Sequence, residues 1–169
     1  MTQPLQAIEQ LIHLDLGAFQ GLPEALTPAI LRARYPAVSE DEGSGYLGED
    51  FHEAAFRAWS LPAFRTPLQV WTRDDRVVKI DAEDPVGGFA ALEVLGAPEA
   101  RLDLHHGVAL LSGGEWVYPA RGLSLGYRAD GTLVRVVAYR PTSLAAYCRD
   151  IRHAEAMREF REEEGPDWD

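Results

Sequence analysis

Three dipeptides able to open a helix, Thr27-Pro28, Asp84-Pro85 and Arg140-Pro141, stand 57 and 56 residues apart along this chain. In the first two, a side chain that can cap a helix precedes a proline. The ring's fixed φ suits a first helical turn, and its missing N–H costs nothing there. The segments that follow also repeat. Leu68-Gln69-Val70-Trp71-Thr72-Arg73 lies over Leu123-Ser124-Leu125-Gly126-Tyr127-Arg128, and Val78-Lys79-Ile80 over Val134-Arg135-Val136, with one residue inserted at the turn. Such a period looks like a duplicated α-plus-β unit. The expected fold class is α+β: two tandem helix-plus-antiparallel-strand units packed as one domain, residues 1–169, and closed by a C-terminal helix. The pseudo-repeats fall at 27–83 and 84–140, and the closing helix at 143–164.

Local patterns place the elements within that frame. Leu5, Ile8, Leu11 and Ile12 recur at helical spacing, so a short amphipathic helix is expected over 4–14. Gly17 to Pro23 is a connector. The helix opened at Thr27-Pro28 must end near Tyr35, because the residue before Pro36 is pushed out of the α region. Ala55 to Trp59 reads as a strand, and 68–73 with 77–80 as a hairpin around Asp74-Asp75. A third helix is expected from Asp84-Pro85, with Phe89, Leu92 and Leu95 on one face and Gly96 and Pro98 as stops. From Arg101 to Leu110 the pattern alternates as in a strand. Residues 115–118, 123–128 and 133–139 continue the sheet, the last two joined at Asp130-Gly131. Ser143 can cap a final helix whose apolar stripe is Leu144, Tyr147, Cys148, Ile151 and Ala154.

Charge narrows the partners. The chain carries a net charge of −11, which argues against nucleic acid and against an anionic membrane surface, both of which demand a basic footprint. A basic protein would be attracted and steered. Solubility alone is the plain alternative. The basic residues are 15 Arg and the single Lys79, a skew typical of a GC-rich genome. One cysteine, Cys148, excludes an internal disulfide framework and fits a reducing compartment. Met1 to Gln6 lacks a basic leader, and no apolar run is long enough to span a bilayer, so a cytoplasmic protein is expected.

The acid is concentrated. Val38 to Glu53 holds Glu40, Asp41, Glu42, Glu49, Asp50 and Glu53 with three glycines and no Lys or Arg, the pattern of an exposed loop. These six carboxylates, with Arg121 in the turn Tyr118-Pro119-Ala120-Arg121-Gly122-Leu123, form the candidate partner-binding set. Arg121 can equally brace the chain's own acidic loop. Trp59, Trp71 and Trp116 read as core or half-exposed sheet residues, and any clustered on the surface are candidate hot spots.

Catalytic and metal chemistry is thinly represented. In Asp103-Leu104-His105-His106, strand alternation sends the two imidazoles to opposite faces, so this segment alone cannot offer both to one ion. His13, His52 and His153 add ligands only through a tertiary approach. Cys148 on an apolar stripe reads as a packed thiol. The glycine pairs Gly87-Gly88 and Gly113-Gly114 lack the spacing and lysine of a phosphate loop. Glu115 beside Trp116 is a candidate general acid if both are buried, and a solvated strand-edge residue otherwise. No catalytic residue, metal or cofactor is therefore assigned.

The second unit has a definite order: Leu95-Gly96-Ala97-Pro98, Trp116-Val117-Tyr118, an apolar strand, Asp130-Gly131, then Val134-Arg135-Val136-Val137. This resembles the small α/β repeat of the SmpA/OmlA outer-membrane lipoproteins and of the tandem-repeat β-lactamase-inhibitory proteins, over residues 85–141 and more faintly over 28–85. The chain departs from both in lacking a lipoprotein signal and the inhibitors' disulfides, and in its long stretch between Pro98 and Trp116. The resemblance implies a non-catalytic, protein-binding scaffold. Compact acidic α+β chains of this size also look like the immunity proteins that neutralise bacterial polymorphic toxins. The expected function is thus a cytoplasmic protein-binding module, an immunity-type inhibitor of a basic toxin or enzyme. The alternatives are a small hydrolase-type enzyme using Asp103, His105 and Glu115, or an adaptor or scaffold.

Overall fold

The computed structural model describes residues 3–16, 18–19, 21–40, 56–62, 66–89, 108–110 and 115–152. A 3-10 turn, Gln3–Leu5, leads into helix α1, Gln6–Ile12, and helix α2 spans Pro28–Arg34. Eight strands follow: β1 Ser39–Glu40, β2 Phe56–Leu61, β3 Leu68–Arg73, β4 Arg76–Glu83, β5 Val108–Leu110, β6 Glu115–Tyr118, β7 Leu123–Tyr127 and β8 Leu133–Tyr139. A one-turn helix α3, Leu144–Tyr147, runs on into a π-turn, Cys148–Arg152. The fold is mixed α+β, with the sheet as its dominant element.

All eight strands form one antiparallel sheet in the order β1-β2-β3-β4-β8-β7-β6-β5. The order is palindromic. Two four-stranded meanders meet where β4 pairs β8, with Ile80 opposite Ala138 and Ala82 opposite Val136. Both central hairpins carry a register shift, between Trp71 and Thr72 in one and between Gly126 and Tyr127 in the other. The residues left over, Val78 and Val134, are the ones that the sequence alignment superposes. The β3–β4 turn places Asp74 and Asp75 at φ 50 and 56, the conformation of a two-residue type I′ hairpin loop. The β7–β8 turn is longer, with Arg128 N–H bonded to the Thr132 carbonyl and Gly131 at φ 83. The expected hairpins and their turn insertion are all present.

Alternation along the strands divides the apolar residues between two faces. One face carries Leu68, Val70, Ile80, Leu123, Leu125 and Val136, sealed by Ala7, Ile8 and Leu11 of α1, Leu31 of α2, and the connector residues Leu16, Phe19, Leu22 and Leu26. On the other face Val117, Val137 and Tyr139 pack against Tyr147 and Ile151. Farther along that face, Ala58 and Trp71 make a small cluster with Val78. The helices therefore sit on opposite sides of the sheet.

Two helix starts differ from expectation. Thr27 caps α2 as its sequence predicts, its hydroxyl accepting from Ile30 N–H at 3.4 Å, and Tyr35 closes the helix. Asp84-Pro85 opens only a turn. The Asp84 carboxylate takes Gly87 N–H at 2.7 Å, Gly88 N–H closes on the Asp84 carbonyl, and Gly88 then turns left-handed at φ 64. That conformation stops a helix, and Phe89 instead bridges to Leu133. The second unit thus has no helix starting at its proline, and Leu92, Leu95, Gly96 and Pro98 lie outside the described residues. At Arg140-Pro141 the start is delayed to Leu144. Thr142 N–H is held by the Pro119 carbonyl, and the Ser143 hydroxyl caps Ala146 N–H at 3.2 Å. Of the expected closing helix, residues 153–164 lie outside the described residues.

Candidate functional site

The acidic run, expected from Val38 onward as an exposed loop, begins instead on the sheet, because Ser39 and Glu40 pair with Ser60 and Trp59. Glu40 lies on β1, the edge strand, opposite Trp59 of β2, so residues 41–55 connect two hydrogen-bonded strands at one edge. Both Glu40 oxygens are gripped by the Arg57 guanidinium, at 2.6 and 2.8 Å. This bidentate pair holds Arg57 more firmly in its charged form, through the hydrogen bonds first and the charge of Glu40 second. Arg57 also lies against Trp59, 5.2 Å from the ring centroid, and Arg32 of α2 approaches the same ring at 4.5 Å. Trp59 is buried and anchored, its indole N–H donating to the Thr72 hydroxyl at 3.0 Å. Glu40 therefore has a counter-charge that residues 38–53 do not supply. Asp41, Glu42, Glu49, Asp50 and Glu53 lie outside the described residues.

Charge is unevenly distributed. Residues 41–55 carry five carboxylates and no Lys or Arg, and residues 153–169 carry seven carboxylates against two Arg. Within the scaffold many arginines are tied to acids: Arg34 to Glu9 at 3.4 Å, Arg128 to Asp130 at 2.8 Å, and Arg149 to Asp150 at 2.7 Å. Arg121 is exposed at the end of the 3-10 turn Pro119–Arg121, and Gly122 follows it in a left-handed conformation.

Sequence reasoning missed the site with the most unusual electrostatics. Lys79, the chain's single lysine, is 3 % exposed on β4. Its ammonium lies 3.4 Å from Asp81 Oδ2 and 5.0 Å from the Trp71 ring centroid. Arg135 of β8 reaches the same oxygen at 3.0 Å. Burial pushes the Asp81 carboxyl up, but Lys79 and Arg135 together outweigh it and hold the group below the usual carboxylate range. A fixed anion between two cations at the junction of the meanders is the result. The legible signal was the alternation Lys79-Ile80-Asp81, which sets opposite charges two residues apart on one face of a strand.

Other candidates separate. Glu115 is half-buried on β6 while its neighbour Trp116 is 40 % exposed, so the joint burial required of a general acid is not met. Trp59 and Trp71 are core residues. Cys148 packs partly buried against the Tyr139 and Tyr147 cluster. His13 is exposed after α1, whereas Asp103, His105, His106, His52 and His153 lie outside the described residues. Among the described residues no three of His, Cys, Asp and Glu gather as metal ligands, and no helix is long and apolar enough to cross a membrane. Compared with known proteins, the chain matches no family model, no curated protein and no solved structure.

Proposed function

We propose that the chain is a cytoplasmic, non-catalytic protein-binding module, an immunity-type inhibitor that neutralises a basic toxin or enzyme. The observation that carries this reading is the concentration of acid: residues 38–53 hold six carboxylates and no Lys or Arg, in a chain of net charge −11. Concentrated acid of one sign repels itself and is relieved by a cationic surface. Residues 41–55 meet such a surface from the edge of the sheet, where Glu40 and Arg57 tie down the root of the stretch. Asp41, Glu42, Glu49, Asp50 and Glu53 make the contact, and Arg121 takes an acidic group at the rim of the partner.

We also read the two meanders as a duplicated unit with the period of the hairpins. The palindromic strand order supports this, as do the bulges at Val78 and Val134. Lys79 and Arg135 occupy matching positions and converge on one carboxylate at the join. The helix of the first unit has no counterpart at 84–89, where the two units have diverged.

The test is kinetic. The partner is captured from the native host, identified, expressed, and its association measured against the chain at increasing salt. Reversal of Asp41, Glu42, Glu49 and Asp50 to lysine is expected to slow association at least tenfold at low salt and to flatten the salt dependence, with little change in dissociation. An unchanged on-rate and salt slope in the reversed variant would reject the acidic surface as the docking site.

A further inference from the structure

A cavity of about 480 Å³ opens between the β3–β4 hairpin, the connector after α1, the exit of β8 and the final helix. That volume lies in the range of small-molecule sites. Leu22, Val78, Ala146 and Ile151 give it an apolar wall, and Arg73, Arg140, Thr142, Glu24 and Asp150 supply its polar groups. The frame is tightly built. Leu22 N–H bonds the Tyr139 carbonyl at 3.0 Å, Thr142 N–H bonds the Pro119 carbonyl at 2.9 Å, and a Cβ at Gly21 would lie only 2.8 Å from the Pro141 ring.

The polar groups are not equivalent. Asp150 is neutralised by Arg149, whose two nitrogens hold its oxygens at 2.8 and 2.7 Å, and Arg149 first, then Arg73, depress its carboxyl. Arg140 is differently placed. One of its nitrogens donates to the Glu24 carbonyl at 3.2 Å, and among the described residues no carboxylate pairs with it. Its remaining donors form a fork that matches a carboxylate. Beside it the Thr142 hydroxyl has no hydrogen-bond partner among the described residues. The acidic residues Glu24 and Asp150 on the lining oppose a doubly charged phosphate about twice as strongly as a singly charged acid.

We infer that this cavity binds a small monocarboxylate with an apolar body. Arg140 takes the carboxylate, the Thr142 hydroxyl donates a second hydrogen bond, and the hydrocarbon lies against Leu22, Val78 and Ile151. This site is independent of the acidic docking stretch and does not rest on the inhibitor reading.

The test uses the full chain and isothermal titration with hexanoate, and with hexanol, hexylamine and inorganic phosphate as comparisons. Hexanoate is expected to bind saturably with a Kd on the order of 1 mM, as suits a ligand of its size. Arg140→Gln should weaken it at least tenfold and Thr142→Val several-fold, while Arg34→Gln, outside the cavity, leaves it unchanged. Thermal unfolding checks that each variant is folded. If Arg140→Gln does not fold, the near-isosteric Thr142→Val carries the same reading. Absence of saturable hexanoate binding, equal binding of hexanol, hexylamine or phosphate, or full affinity in the folded cavity variants would overturn the proposal.

Discussion

Lys79 and Asp81 are both almost completely buried, and the Asp81 carboxylate is held there by Lys79 together with Arg135. Asp81→Asn leaves the ammonium without its nearest anion, and the expected loss is about 3–5 kcal/mol in urea unfolding. The joint change Lys79→Met with Asp81→Leu removes both charges and should recover much of that loss. The same pair sets a pH dependence. The folded Asp81 carboxyl lies below its unfolded value, so its contribution is present above the ordinary carboxylate range and is lost as pH falls through the folded pKa. Stability measured from pH 7 downward should therefore fall less steeply in Asp81→Asn than in the parent. Gly122 is a second sensitive residue. It sits at φ 65, and a Cβ there would lie 2.0 Å from the Tyr139 carbonyl oxygen. Gly122→Ala is expected to cost roughly 2–4 kcal/mol, read from the same unfolding curves.

The hairpins and helix ends are the elements where local chemistry and the final structure agree. Asp74 and Asp75 both adopt left-handed backbone, which Asp tolerates and Gly adopts freely. Asp75→Gly should raise stability by about 0.5–1 kcal/mol and lift Tm by a few degrees in calorimetry. At the start of α2 the Thr27 hydroxyl satisfies an otherwise open N–H, so Thr27→Ala should cost about 1 kcal/mol. The failed helix at Asp84 marks the limit of such reasoning. A capping side chain followed by proline is compatible with a helix but does not compel one. Here Gly87-Gly88 lets the turn close after one cycle, and Phe89 gains a sheet partner in Leu133.

For the whole molecule, the concentration of acid in residues 38–53 has a direct consequence. Reversal of Asp41, Glu42, Glu49 and Asp50 should leave the circular dichroism spectrum and the cooperative unfolding transition intact while changing association. The β1–β2 edge is tied by the Glu40–Arg57 pair, with Arg57 lying against Trp59. Loss of cooperative unfolding in that variant would mean that the stretch is part of the scaffold.

Periodicity and turn chemistry by themselves determined β2 to β4, β6 to β8, the two central hairpins and the caps at Thr27 and Ser143, because these depend on residues within a few positions of one another, whereas Ser39–Glu40 became a strand only through its pairing with β2. The acidic run was equally plain as composition. What only the tertiary structure decided was pairing across the chain: the join of β4 to β8, the capture of Glu40 by Arg57 and the burial of Lys79 between Trp71 and Asp81. The cavity around Arg140 belongs to the same class, since its walls come from four separate segments. Such contacts depend on which faces meet, and no local pattern encodes that choice.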